Sequence, residues 1–192
     1  YVLLEKIKVD RNRVDIEEIQ LSDLSEPDIS GGYIWKKDKS GARDRTFVSS
    51  ARQQFRMVDP QGPISRDEFR PGEILPEQVE WLTNYVNEFE AALYGSNFAD
   101  PQEGYAKYID VDSWVDTWLM VEMTKNIDGF RLSTYYHKDR GGKITQGPAW
   151  DYNLSFGNGT YLEGGQPEGW YGELISAQQY PYWDRLFEDP NF

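Results

Sequence analysis

The sequence predicts an α+β chain, on three observations. From Pro76 onward, Val79, Leu82, Val86, Phe89 and Leu93 recur at spacings of three and four, and Gly95 stands just past the end; this is the pattern of an amphipathic helix. A second apolar run from about Ser113 to Lys125 has the same helical length and composition. The period then changes to that of strands: Arg131 to Lys138 leads into the turn residues Asp139-Arg140-Gly141-Gly142, and Lys143 to Gln146 returns, which reads as a hairpin.

Taken in order, Tyr1 to Val9 is rich in aliphatic and β-branched types and predicts a buried strand. A charged stretch covers Asp10 to Glu18. Gly31-Gly32-Tyr33-Ile34-Trp35 predicts a second strand entered through a glycine turn, followed by a solvated loop from Lys36 to Arg45. Asp59 to Pro76 holds four prolines and two glycines, so it reads as a linker or lid. In the second helix, Ser113 with Asp116 three residues on suggests a capping box. Its apolar residues Trp114, Val115, Trp118, Leu119, Met120, Val121 and Met123 cover more than one face, which predicts deep burial. Glu122 lies on the stripe through Val115 and Leu119, either as an anchor for a neighbouring Arg or Lys or as part of a polar site.

Composition excludes several classes. A formal charge of −13 over 192 residues opposes a nucleic-acid groove or an anionic membrane surface, since both need a surplus of Lys and Arg. With no cysteine there is no disulfide, thiolate metal site or cysteine nucleophile. No run has the apolar length of a membrane span, and the first residues show no signal-peptide pattern, which carries little weight in a chain that opens on Tyr1. A chain that starts on a strand at full stride is expected to be a fragment, trimmed at the front and after Leu186-Phe187-Glu188-Asp189-Pro190-Asn191-Phe192 at the back.

The stretch Trp150-Asp151-Tyr152-Asn153-Leu154-Ser155-Phe156-Gly157 sets one carboxylate among large aromatics. A buried carboxylate needs a cation or good hydrogen bonds to stay ionised. The hairpin supplies a candidate partner: if its turn is centred between Arg140 and Gly141, Asp128 faces Asn153 and Asp151 faces Phe130. With strands ~4.8 Å apart, the two acids would then come within roughly 10 Å at the open end. Asp128, Asp151 and the amides Asn126 and Asn153 make an all-oxygen set suited to Mg²⁺ or Mn²⁺. On spacing alone, the alternative that these acids cap a turn or pair with Arg131 has equal standing.

Four stretches, Tyr1 to Ile16, Gly31 to Lys39, Tyr108 to Lys143 and Gly147 to Asn158, together resemble the CotH kinase family, named for spore coat protein H. The resemblance implies an atypical protein-kinase-like fold, mostly C-lobe with the end of the N-lobe, in which a short hairpin lies at the active site. It implies transfer of phosphate from ATP, with Mg or Mn, to Ser or Thr of coat, surface or secreted proteins, and so an extracellular, spore-coat or cell-surface setting. The order of a buried helix, a catalytic loop, a hairpin and a metal-holding acid is that of kinases. By that likeness Asp128 corresponds to the catalytic acid and Asp151 to the metal-holding acid, with Asn126 and Asn153 beside the metal. Asn153 stands where a second acid is expected in relatives. Glu5, Lys6 and Arg131 are the implied nucleotide neighbours, and residues 1–192 are implied to be a partial domain whose N-lobe start lies upstream.

His137, mid-strand and alone of its kind, predicts a packing role. The run from Gly157 to Glu173 has six glycines but no phosphate-loop pattern, and reads as a mobile segment anchored by Trp170 and Tyr171. Trp114 and Trp118 are expected in the core, and Trp35, Trp170 and Trp183 at the surface. Two other functions remain open from the residues: a non-catalytic surface module presenting aromatics to protein or polysaccharide, and a glycoside hydrolase using paired carboxylates.

Overall fold

The computed structural model describes residues 4–41, 44–61 and 73–192, so most of the proline-rich stretch expected as a lid, and the first three residues, lie outside the described residues. Among these residues five strands form one antiparallel sheet: β1 Tyr33–Lys37, β2 Thr46–Val48, β3 Gln54–Asp59, β4 Thr134–Lys138 and β5 Ile144–Gln146, in the spatial order β2-β3-β1-β4-β5. Three α-helices accompany it among the described residues: α1 Pro76–Tyr94, α2 Val111–Thr124 and the short α3 Trp183–Leu186. The α+β expectation therefore holds.

Because successive strand residues point to opposite faces, the sheet is covered twice. One face sends Trp35, Phe55, Met57 and Tyr136 into the main core, where Val79, Leu82, Val86, Phe89 and Leu93 of α1 meet Trp114 of α2 and Trp183 of α3. The other face sends out Ile34 and Tyr135, which pack with Val14, Ile7, Val9, Ile16 and Trp150. Thus the opening segment, over its described residues, is not a strand. Residues 4 to 8 have no regular structure, and Val9 makes only an isolated bridge to Val14. Its aliphatic residues bury by lying across a sheet face, tied down where the Val9 amide donates to Asp59 (2.8 Å). A burial signal was legible there; the choice between edge and face was not, because both bury aliphatic side chains.

Other expectations shift in detail. The solvated loop begins after β1, since Lys36 and Lys37 pair with β4. Helix α1 starts on Pro76 and ends at Gly95 as expected. Helix α2 begins earlier than Ser113: Asp110 is its N-cap and accepts from the Ser113 amide at 3.0 Å, so the Ser113–Asp116 box does not form. Nor is α2 buried all round: Leu119, Met120 and Met123 are 41%, 45% and 78% exposed, because only one side of the helix meets the sheet and the 171–174 turn. Trp35 and Trp183 are buried in the core rather than exposed, whereas Trp170 is exposed and rests on half-buried Trp118. The hairpin forms, but Lys138 pairs with Ile144, one residue beyond the expected partner, since the turn spans Asp139 to Lys143 with Gly141 at φ 65°.

Candidate functional site

Helix α2 ends in a left-handed Lys125 (φ 46°) whose amide bonds back to Glu122 and Val121 carbonyls. That cap turns the chain into the Asn126–Gly129 loop. The Asn126 amide donates to the Val121 carbonyl (3.0 Å) and the Gly129 amide to the Asn126 carbonyl (2.9 Å). Gly129 is required by proximity: a Cβ there would lie 2.5 Å from Val121 Cγ1. Ile127 is fully buried, so the loop is pinned at its centre while Asp128 emerges beside it.

Two direct backbone links join the end of α2 and this loop to the Asp151 stretch. The Phe156 amide donates to the Thr124 carbonyl at 2.7 Å, and the Ile127 amide to the Leu154 carbonyl at 3.5 Å. The buried Asn126 side chain accepts from the Asp128 amide (3.3 Å). The two loops therefore converge, but by direct bonds between them and not by continuation of the ladder, whose last pair is Tyr136↔Gln146.

Asp151 itself is exposed, and so is Phe156, at 80%. The premise of a carboxylate buried among aromatics is corrected: the neighbouring rings pack sideways, Trp150 on Tyr135 at 6.0 Å, and leave the acid outside. Asp151 takes a left-handed backbone (φ 61°), a conformation short polar residues tolerate. Its carboxylate accepts from Ser133 Oγ (3.4 Å) and, with the Asn153 amide turned so that its nitrogen faces the acid, from that nitrogen (2.7 Å). Beside it lies a cavity of about 240 Å³ lined by Asn126, Ser133, Tyr135, Trp150, Tyr152 and the outer residues of α2.

Asp128 has different company. Arg131 Nη2 pairs with Asp128 Oδ1 at 2.9 Å, and the Tyr161 hydroxyl donates to the same oxygen at 3.2 Å. Arg131 is further fixed by the Ile127 carbonyl and the hydroxyls of Tyr171 and Tyr161. Asp128 with Arg131 is thus the ion pair that spacing had left as an alternative. Glu5 pairs with Arg13 at 3.4 Å, and Lys6 is exposed. His137 is partly buried with its Nδ1 3.2 Å from the Gly147 carbonyl, a packing position in which burial lowers its pKa.

The glycine-rich segment is anchored over this loop, and sequence reasoning missed how. Buried Glu122 accepts from the amides of Tyr171 (2.6 Å) and Gly172 (2.8 Å); burial raises its pKa and those two N–H groups oppose the rise. Glu122 thus anchors backbone, not an Arg or Lys side chain. Lys125 Nζ donates to the carbonyls of Gln166 and Glu168 at 2.8 and 2.6 Å. Gly159 and Gly164 lie against Ile127, where a Cβ at Gly159 would come 2.3 Å from its Cδ1. Tyr171, expected as an anchor, is fully buried under Arg131 and donates to the Ile127 carbonyl at 2.7 Å. The one signal that pointed to Tyr161 was an aromatic among glycines.

The donor set bears on a divalent ion. Among the described residues no three His, Cys, Asp or Glu side chains converge on a metal position. Mg²⁺, however, is held by one or two carboxylates together with substrate phosphates rather than by an all-protein cage. An exposed Asp151 beside Asn153 fits an ion carried in by a nucleotide. No described helix is long and apolar enough to cross a membrane.

Comparisons with curated proteins and with solved structures return no match. The family model described as CotH kinase protein matches residues 1–192. With Asp128 and Asp151 on two hydrogen-bonded loops, and with the family model spanning its whole length, the chain belongs to the CotH kinase family.

Proposed function

We propose that the chain is the phosphotransfer part of a CotH-type protein kinase, moving the γ-phosphoryl group of ATP to Ser or Thr of coat, surface or secreted proteins outside the cell. The observation that carries the reading is the bonding of the end of α2 and the Asn126–Gly129 loop to the Leu154–Phe156 segment, which holds two acids on adjacent loops. In this reading residues 1–192 are mostly the lower lobe of a kinase-like fold with the end of the upper one.

Phosphoryl transfer asks little covalent chemistry of the protein, which mainly positions groups and balances charge. Asp128 would orient the acceptor hydroxyl and take its proton. Its carboxylate is aimed by Arg131, and a hydroxyl, that of Tyr161, already donates to it. Asp151, with Asn153 and then Asn126, would hold a Mg or Mn ion, which when bound neutralises charge on the phosphates. Arg131, already paired with Asp128, would meet the phosphates of the nucleotide, with Glu5 and Lys6 as its further neighbours.

Incubating the protein that carries this chain with labelled ATP, Mn²⁺ or Mg²⁺ and a Ser/Thr acceptor tests the reading. Asp128→Asn and Asp151→Ala are each expected to lower transfer by about 10²-fold or more. Unchanged transfer in both variants would refute the assignment. A second reading, a non-catalytic surface module binding protein or polysaccharide, draws support from Asp128 being held by both Arg131 and Tyr161. It predicts partner binding that survives both substitutions and no thermal shift with nucleotide.

A further inference from the structure

In a chain of formal charge −13, cations are outnumbered, yet four of them line one cavity of about 460 Å³. Lys37 and Lys39 enter from the end of β1, Arg52 from the β2–β3 turn and Arg131 from the loop after Asp128. The single acid on its wall, Asp38, is already paired with Lys36 at 2.6 Å. Basic residues on a surface are ordinarily just solvated. Two of these are not at the surface in that sense: Lys37 is partly buried and Arg131 has a side chain only 19% exposed.

Both also have donors to spare. Lys37 Nζ donates to the Gln53 side chain and to the Gln178 carbonyl (3.1 Å), which leaves one of its three N–H bonds. Arg131 uses Nε on Ile127 and Tyr171 and Nη2 on Asp128 and Tyr161; among the described residues Nη1 donates to nothing. Burial pushes the Lys37 ammonium down to about 8, and a bound anion would offset that cost.

We infer that this cavity is a binding subsite for a phosphate group carried by the acceptor chain, so that a segment already phosphorylated presents its next Ser or Thr to Asp128. The inference rests on the phosphotransfer reading for its purpose but not for its binding. A phosphate brings two charges and three acceptor oxygens, which suits ammonium groups and a guanidinium edge better than a lone carboxylate does. The nucleotide is not the source, since no residue from Trp150 to Phe156 lines the cavity. Arg131 is shared: it lines the cavity and pairs with Asp128, placing a seated phosphate one side chain from the candidate base.

The test uses fluorescent peptides of neutral sequence holding two serines, with one serine phosphorylated, unmodified or replaced by Glu. The phosphorylated peptide is expected to bind about tenfold more tightly than the unmodified one. Inorganic phosphate should compete with it and ATP with Mn²⁺ should not displace it. Lys39 and Arg52 are exposed, so Lys39→Glu with Arg52→Glu should fold and abolish the preference, and the pair Lys39→Gln with Arg52→Gln should weaken it. Equal affinity for phosphorylated and unmodified peptides, an unchanged preference in the charge-reversed variant, equal binding of the Glu peptide, or displacement by ATP would each overturn the assignment. A preference that persists in a protein transferring no phosphate would uphold the cavity and sink the kinase reading; transfer without any preference would do the reverse.

Discussion

At the scale of single residues, Glu122 shows how a buried acid can be kept without a cation. It is 8% exposed and both its oxygens are taken by backbone amides of the 171–172 turn. Hydrogen bonds to a charged acceptor are worth about twice neutral ones, and leaving two amides without an acceptor costs their desolvation. Glu122→Ala is therefore expected to lower stability by about 2–4 kcal/mol, read as a lower denaturant midpoint, and to hasten proteolytic cutting between residues 157 and 170. Glu122→Gln keeps one acceptor and should lose less. A midpoint for Glu122→Ala equal to the parent's would show that the turn is held by Tyr171 packing alone. The acid's place on the helix was legible in the sequence; its partner was not, because backbone amides have no sequence signature.

At the scale of elements, α2 and the loop it launches decide the site. The loop leaves the helix through left-handed Lys125 and is pressed against it at Gly129. Gly129→Ala would place a methyl group inside van der Waals range of both Val121 methyls, at 2.5 and 2.8 Å. Overpacking of this kind costs about 1–3 kcal/mol. The loop that carries Asp128 should shift, so transfer is expected to fall by more than the stability loss accounts for, while Val121→Ala in the same chain should restore part of both. Recovery of neither would place the strain elsewhere. The helix itself was readable from its apolar spacing. Its exposed face, Leu119, Met120 and Met123, was not, because a hydrophobic residue in a pattern says what it prefers and not what is available to cover it.

At the scale of the molecule, charge buried on folding sets how stability depends on pH. Lys138 is 1% exposed; its ammonium donates to the Ser30 carbonyl at 2.6 Å and lies over the rings of Tyr85 and Trp81. Burial pulls its pKa from 10.5 down to about 8, and Lys37 moves likewise. Between these values the unfolded chain binds more protons than the folded one, so stability rises with pH. Melting temperature is expected to climb from about pH 7.5 to 9.5, and Lys138→Met should flatten much of the climb. A parent curve that falls over that range would contradict the assignment.

What the sequence by itself determined was the set of elements and the chemistry on offer. Helical spacing located α1, the glycine turn located β1, the turn residues located the hairpin, and the charge balance argued against a nucleic-acid groove or an anionic membrane surface. These are local properties, written in neighbours a few positions apart. The tertiary structure alone decided that the opening aliphatics cover a face, that Asp151 is exposed and Asp128 is paired, that Tyr161 reaches Asp128, and that four scattered cations share one cavity. Each of those depends on which distant segments compete for the same space, and that competition is settled only when the whole chain has packed.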